Sequence, residues 1–391
     1  MKALCWEGVN ELSVEDVPDP ELLMARDAIV RVGLSSVCGS DLHLLDGYVP
    51  TMREGDVIGH EFMGEVVEVG SAVSRLRPGD RVVVGSVLGC GQCRFCREGA
   101  FSLCDNTNPH PAVQERVYGH ATAGIFGYSH AFGGLPGSHA EYIRVPFADV
   151  NAVPVPEGIS DEQAVFASDA VPTGWMAAEM CGIEPGDVVA VWGSGGVGLM
   201  AMHAAYLLGA SDVIAIDRLP ERLALAEQKA GAIPLDYEQA DVAEVLADLT
   251  GGRGPDRCIE AVGMESHGQG IHGAYDKVKQ ALRLQTDRSV SLRQAIHACR
   301  KGGTVSIVGV FGGVLDKFPL GAAMNKGLTL RMGQQHAASY IPMLLDRIAL
   351  GEIDPSYLLT HPMPLSEGPD GYDRFKNKRD GCVRAVFRPG G

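Results

Sequence analysis

Four cysteines, Cys90, Cys93, Cys96 and Cys104, stand in the spacing C-x2-C-x2-C-x7-C. Thiolate sulfur is a ligand that zinc favours, at bond lengths of about 2.3 Å, so the chain must fold back on itself between ligands. Gly89, Gly91 and Gly99 permit those tight turns. An ion whose positions are all filled by protein has no room for a reactant, so a zinc lobe over residues 89–105 is structural. Disulfides or an iron–sulfur cluster would use the same residues. The chain begins MKALCWEG without an apolar secretory segment, which weighs against disulfides, and nothing else in it suggests electron transfer. Upstream, Val37-Cys38-Gly39-Ser40-Asp41-Leu42-His43 offers a thiolate, a hydroxyl, a carboxylate and an imidazole, and Gly59-His60-Glu61 adds an imidazole beside a carboxylate. Singly these are ambiguous, because lone cysteines and histidines are common in cores. Together they are the ligand types of an open zinc site, in which three protein groups leave a place for substrate.

The element that would carry a second reactant lies mid-chain. An apolar run, Val188 to Trp192, enters Gly193-Ser194-Gly195-Gly196-Val197-Gly198 and then an Ala/Leu/Met-rich stretch ending at Gly209, which reads as strand, glycine turn and helix. Gly193 allows the sharp turn, Gly195 lets a pyrophosphate approach the backbone, and Gly198 lets helix and strand pack closely. The helix start at Gly196 and Val197 supplies free N–H groups. A second strand, Val213 to Ile216, ends in Asp217, nineteen residues after Gly198. An acid there holds a ribose 2′-hydroxyl and repels a 2′-phosphate, favouring NAD over NADP, although Arg218 and Arg222 nearby could accommodate a phosphate. The alternative is the glycine turn of an ordinary α/β unit with Asp217 merely solvated.

Beyond Asp217 the alternation continues. A helix from Pro220 to Gly231, another over about Asp241–Leu249, a strand Cys258–Val262, a helix from Ser291 to about Arg300 and a strand Thr304–Val308 predict a parallel, doubly wound sheet. Short Val-rich strands at Ala28–Val32, Gly64–Val69 and Arg81–Val84, broken by Gly/Pro turns, predict an antiparallel, barrel-like domain before it. The expected organisation is a catalytic domain over 1–168, an NAD-binding α/β domain over 169–325, and a return to the first domain over 326–391. Two segments are long for connections. One, 264–290, includes a helical-looking stretch from Tyr275 to Leu284; the other, 105–138, is Gly-rich with His110, His120 and His130, and borders a substrate mouth or subunit contact or is a solvated loop. A net charge of −16 disfavours nucleic acid and anionic membranes. No apolar run approaches the ~18 residues of a membrane span, so a cytoplasmic location is expected. There, Cys5, Cys181, Cys258, Cys299 and Cys382, standing singly among apolar neighbours, read as core.

Over nearly its whole length the chain resembles the zinc-dependent medium-chain alcohol dehydrogenases. Cys38-Gly39-Ser40-Asp41, Gly59-His60-Glu61, the four-cysteine lobe and the glycine fingerprint follow that family's order and spacing. The resemblance implies a Rossmann cofactor domain, a mostly β, GroES-like catalytic domain, two Zn²⁺ ions per chain, NAD, and a homo-oligomer, tetramer or dimer. It places Cys38 and His60 on the catalytic zinc. The third ligand, a cysteine in many members, maps onto Asp169, and an aspartate there looks like the formaldehyde dehydrogenase and dismutase branch; otherwise Asp169 caps the helix beginning near Pro172. Glu61 resembles a reserve ligand, Asp41 the carboxylate that orients the ligand histidine, and Ser40 with His43 a relay that carries the released proton to solvent. Thr173, Val262 and Arg384 match cofactor contacts, Arg384 at the pyrophosphate. The insertion 264–290 also looks like the formaldehyde dehydrogenase branch. Hydride transfer between a small alcohol or hydrated aldehyde and NAD is the implied reaction. Secondary-alcohol or polyol oxidation, aldehyde dismutation with retained cofactor, and a non-catalytic zinc-stabilised NAD-binding protein are the alternatives.

Overall fold

The computed structural model describes residues 1–264, 266, 289–312, 315 and 317–390, so the expected helix at Tyr275–Leu284 lies outside the described residues. The chain forms two compact units, Met1–Pro172 with Gln335–Gly391, and Thr173–Gln334. Asp169 therefore belongs to the first unit instead of opening the second, a correction to the expected border.

The first unit is built on a largely antiparallel sheet whose central strand is Ala28–Ser36. Along that strand Ala28, Val30, Val32 and Leu34 are buried while Arg31 is exposed, the period-two pattern of a strand with one face on the core. It pairs with Glu61–Val69, Tyr142–Val145 and the C-terminal strand Ala385–Arg388. Phe62 packs edge-on against Phe126 at 5.5 Å within this core. The C-terminal return fills a second cluster, where Phe387, Tyr372 and Phe375 meet Leu4, Val37 and Leu42. The segment 105–138 is not plain loop: it contains a helix, Ala112–Tyr118.

The second unit is a six-stranded parallel sheet. Across it the strands run Ile233–Asp236, Asp212–Asp217, Val188–Trp192, Arg257–Glu260, Thr304–Ile307 and Thr329–Met332, the 3-2-1-4-5-6 order of a dinucleotide-binding fold. The first strand of this unit, Val188–Trp192, thus lies at the centre, buried on both faces, which explains its unbroken apolar run. The helices Pro220–Ala230 and Val242–Leu249 start as the sequence predicts, one with proline in its first turn and one capped by the Asp241 carboxylate. Residues 326–334, expected to begin the return, instead supply the sixth strand and its exit. No helix among the described residues is long and apolar enough to cross a membrane. The five singly placed cysteines are buried in the cores.

Candidate metal centre and cofactor fold

Cys38 precedes the short helix Gly39–Leu45, and its own N–H donates to Asp41 Oδ2 at 2.9 Å, which fastens the first turn. His60 stands immediately before the central-sheet strand Glu61–Val69. Asp169 ends a short 3₁₀ turn, Val165–Ser168, just before the helix Ala170–Cys181. These three separate pieces of chain converge: the ligand atoms of Cys38, His60, Glu61 and Asp169 all lie within 4.8 Å of one another, and all four residues are buried. Asp169 Oδ2 is 3.3 Å from His60 Nε2. A tetrahedral ion bonded to nitrogen and oxygen at about 2.0–2.2 Å sets such a pair about 3.4 Å apart, so the spacing suits zinc.

The electrostatics point the same way. Burial alone would lower the His60 pKa, but Asp41, Asp169 and Cys38 hold it well above the ordinary histidine value. Burial, reinforced by Glu61 and Asp169, pushes the Cys38 thiol up. Glu61 is pushed up to about 7 by burial against the pull of Arg384. A buried group of a thiol and two carboxyls around one imidazole, with Arg384 beside Glu61, suits a divalent cation.

Other expected residues take definite places around this cluster. Asp41 Oδ1 is 3.0 Å from His60 Nδ1, directing Nε2 at the other ligands. The Ser40 hydroxyl is 3.4 Å from Cys38 Sγ and 3.3 Å from His60 Nε2, while His43 is buried on the same helix. Arg384, expected at a pyrophosphate, is placed beside Glu61. It is 3% exposed, its Nη2 is 3.1 Å from Glu61 Oε1, and its Nη1 donates to the Val37 carbonyl at 2.6 Å.

Three contributors carried no sequence signal. Gln335 Nε2 donates to Asp169 Oδ1 at 3.0 Å and to Ser86 Oγ at 2.7 Å, leaving Asp169 Oδ2 toward His60. Tyr128, from the 105–138 segment, packs edge-on against His60 at 6.3 Å. His139 lies two positions beyond that segment's glycine Gly137 and contacts Gly59.

In the lobe, the sulfurs of Cys90 and Cys96, and those of Cys93 and Cys104, are 3.9 Å apart. A tetrahedron with ~2.3 Å zinc–sulfur bonds has edges of about 3.8 Å. All ten cysteines are free thiols, which removes the disulfide alternative, and sulfurs spaced by one tetrahedral edge suit a single ion better than a cluster whose cysteines are divided among several irons. N–H groups of Gln92, Cys93 and Asn106 and the Asn106 side chain point at these sulfurs, and such donors, working against burial, pull the Cys90 thiol down to about 6. A group so readily ionised is prepared for a cation.

The glycine turn of the second unit is shaped by necessity. Gly193 has φ +95°, and a Cβ on Gly198 would lie 1.8 Å from the Gly193 carbonyl oxygen. Gly195 precedes the helix Gly196–Leu207, whose first turn, with Val197, offers its N–H groups. Arg222 is near, its Nη1 3.6 Å from where a Gly195 Cβ would stand, and Val262 packs on Gly193. Thr173 lies in the helix Ala170–Cys181. At the end of its strand, Asp217 takes N–H groups from Ser194 at 2.8 Å, Arg218 at 2.7 Å and Leu219 at 3.1 Å, which keeps a carboxylate beside the turn. Gly198→Ala therefore forces the helix start away from the turn. NADH binding measured by fluorescence should weaken at least about tenfold with zinc content unchanged.

A GroES-like unit holding a buried sulfur–imidazole–carboxylate cluster, carried in one chain with a dinucleotide-type sheet, defines a zinc-dependent oxidoreductase. Comparison with known families bears this out: residues 24–157 match the alcohol dehydrogenase GroES-like domain and residues 196–282 the zinc-binding dehydrogenase family. A zinc-type alcohol dehydrogenase-like protein of Bacillus subtilis is 38% identical over 100% of both chains. The solved alcohol dehydrogenase TADH of Thermus sp. ATN1 is 36% identical, covers 99% of both chains and superposes with a TM-score of 0.84. The glutathione-independent formaldehyde dehydrogenase of Pseudomonas aeruginosa is 31% identical over 96% of this chain and 94% of its own. The chain belongs to the zinc-type medium-chain alcohol dehydrogenase family.

Proposed function

We propose that this protein is an NAD-dependent zinc alcohol dehydrogenase that oxidises small alcohols, including hydrated aldehydes of the formaldehyde type. The observation that carries the reading is the convergence of Cys38, His60, Glu61 and Asp169 on one point. When bound, zinc at that point supplies a Lewis acid for the substrate oxygen and NAD supplies the hydride acceptor. Cys38, His60 and Asp169 would hold the ion, with Glu61 in reserve. Asp41 fixes the His60 tautomer through Nδ1. Gln335 holds one Asp169 oxygen so that the other faces the cluster. Ser40 Oγ, within hydrogen-bond reach of the ligand atoms, takes the substrate's hydroxyl proton, and His43, one helical turn along, passes it toward solvent. Gly193 to Gly198, Thr173 and Val262 would shape the NAD site, and Asp217 favours a ribose hydroxyl over a phosphate, while Arg222 stands near the phosphate-binding turn. Zn²⁺ in the four-cysteine lobe is structural.

The formaldehyde leaning is supported by Asp169 at the third-ligand position and by the 31% identity to a formaldehyde dehydrogenase. A homo-oligomer, dimer or tetramer, is supported by the open sheet edge at Thr329–Met332, where Met332 and the neighbouring Met324 and Leu320 are exposed. Ten free cysteines suit a reducing cytoplasm.

NADH absorbance assays with primary alcohols, secondary alcohols, polyols and formaldehyde, each with NAD and NADP, test the reading. Turnover of formaldehyde and short primary alcohols with NAD is expected. Alcohol and acid forming from aldehyde without net NADH selects dismutation. A zinc-replete protein that binds NAD and turns over none of these compounds overturns the enzymatic reading in favour of a structural or regulatory role.

A further inference from the structure

Glu260 ends the strand Arg257–Glu260 and is paired with Trp192 of the central strand, at the crevice where the strand order reverses and such sheets take their ligands. Its side chain is sealed from water. Oε1 accepts the Val262 N–H at 3.1 Å, the Gly263 N–H at 2.9 Å and the Ser291 hydroxyl at 2.6 Å. A buried carboxyl is costly unless donors meet it. Among the described residues, these donors all come from beyond the strand, on the side that would face a dinucleotide.

Each donor ties down a different piece of that edge. Val262 lies on the glycine turn, where a Cβ on Gly193 would stand 2.8 Å from its Cγ2. Gly263 has φ +73° and fits against the exit of the next strand: a Cβ there would stand 2.5 Å from the Val310 nitrogen, and the Met264 N–H donates to the Val310 carbonyl at 2.9 Å. The same exit returns to Glu260. Its carbonyl accepts the N–H groups of Val308 and Gly309, each at 3.0 Å, and a Cβ on Gly309 would stand 2.3 Å from Glu260 Oε2. Ser291 stands in the first turn of the helix Val290–Ala298, whose opening N–H groups, those of Val290 and Ser291, donate to Ser266 Oγ at 2.9 and 3.4 Å. The Ser266 N–H donates in turn to the Gly263 carbonyl at 3.2 Å. Ser266 and Ser291 thus bring the two ends of the 264–290 segment to one carboxylate.

A group that only filled the core at the end of a strand would be apolar; this one gathers the two strand exits that border the glycine turn. We infer that Glu260 is a positioning residue for the dinucleotide: it holds Val262 against the turn at Gly193 and fixes the Val262–Gly263 and Gly309–Val310 exits in one arrangement, with Ser291 as its link to the following helix. A site shaped in advance binds more tightly because less ordering is left to the ligand. The role asks for an acceptor oxygen and not for a charge, since Val262, Gly263 and Ser291 all act as donors. The inference rests on the reading of Gly193 to Gly198 and Val262 as an NAD site.

Full-length, zinc-loaded protein carrying Glu260→Leu, Glu260→Gln or Ser291→Ala tests it, by fluorescence titration with NADH alongside the urea midpoint. Glu260→Leu is close in volume but has no acceptor. It is expected to bind NADH at least about fivefold more weakly, the scale of a lost hydrogen bond, and a smaller change overturns the inference. Glu260→Gln keeps Oε1 and holds NADH within about twofold of wild type; a larger loss overturns the inference, because an acceptor oxygen then does not suffice. Leu246→Ala, in the core of the same sheet, separates positioning from stability. It lowers the urea midpoint yet leaves NADH affinity at the wild-type value, and a loss of affinity equal to that of Glu260→Leu marks general destabilisation and overturns the inference. If Glu260→Leu does not fold, Ser291→Ala decides: NADH binding at least about twofold weaker is expected, and a smaller change overturns the inference. Wild-type protein that does not bind NADH overturns the cofactor reading itself, and with it this inference.

Discussion

Asp169→Asn leaves the chain with one firmly held zinc instead of two, and its kcat/KM for alcohol oxidation falls at least about a thousandfold, the scale expected when several kcal/mol of Lewis-acid assistance is lost. Asparagine is the informative replacement because it caps helices as well as aspartate does. If Asp169 served only the start of helix Ala170–Cys181, the variant would match wild type. As a ligand, the residue must supply an anionic oxygen, and the amide cannot. The geometry argues for the ligand role: Oδ2 sits 3.3 Å from His60 Nε2, and Oδ1 is held by Gln335 at 3.0 Å, so the carboxylate is oriented from behind in the manner of a metal ligand. Asp169→Cys separates charge from shape. A thiolate is an accepted zinc ligand, so the second zinc is retained, but Gln335 no longer orients the ligand through Asp169 Oδ1 and kcat/KM should drop by about tenfold. Metal analysis with steady-state kinetics on the two variants checks this. Two zinc ions and wild-type kcat/KM in Asp169→Asn would reduce Asp169 to a cap.

How much of this was legible in the chain depends on distance along it. The dinucleotide-type sheet is written locally: a buried central strand is an unbroken apolar run, the turn after it is glycine because a Cβ on Gly198 would collide with the Gly193 carbonyl, and Pro220 and Asp241 announce the next helices. The strand after Lys326 was assigned to the return and not to the parallel sheet because Thr329–Met332 sits at an edge with three of its four residues exposed, so no buried apolar run ties it to that sheet. Within the cluster, Cys38 and Asp41 are neighbours on one turn, and His60 and Glu61 are adjacent, so their types could be weighed together. Gln335 and Arg384 could not. Gln335 reaches Asp169 across 166 positions and Arg384 reaches Val37 across 347, and a glutamine or arginine alone has many uses. Arg384 was expected at a pyrophosphate from the family resemblance alone; its pairing with Glu61, a carboxylate sealed from water, had no signal in the chain. His139 and Tyr372 were silent for the same reason, since only the fold brings residue 139 against Gly59 and residue 372 within 3.1 Å of the His139 ring.

Cys93→Ala should also lower the zinc count to one per chain, yet with the opposite signature, a loss of stability that exceeds the loss of chemistry. The lobe has little else to hold it. Its regular structure is a four-residue helix, Arg94–Arg97, and a three-residue turn, Phe101–Leu103, far too short to persist unaided. Cys93 also caps that helix, accepting the Cys96 N–H on its sulfur. With three ligands the ion is held weakly, and because structural zinc contributes its binding free energy directly to folding, about 3 kcal/mol or more of stability goes with it. For a protein of this size that lowers Tm by roughly 4 °C or more. The lobe's sulfurs share a hydrophobic cluster with Leu44, Ile125 and Tyr128, and Tyr128 packs on His60, so some disorder reaches the cluster. A fall in kcat/KM of about tenfold is expected from loosened positioning, much smaller than that of Asp169→Asn. Calorimetry, metal analysis and limited proteolysis within residues 89–105 measure the three effects. A variant that keeps two zinc ions and the wild-type Tm would show that the lobe closes without its second sulfur, and the structural assignment of that ion would fall.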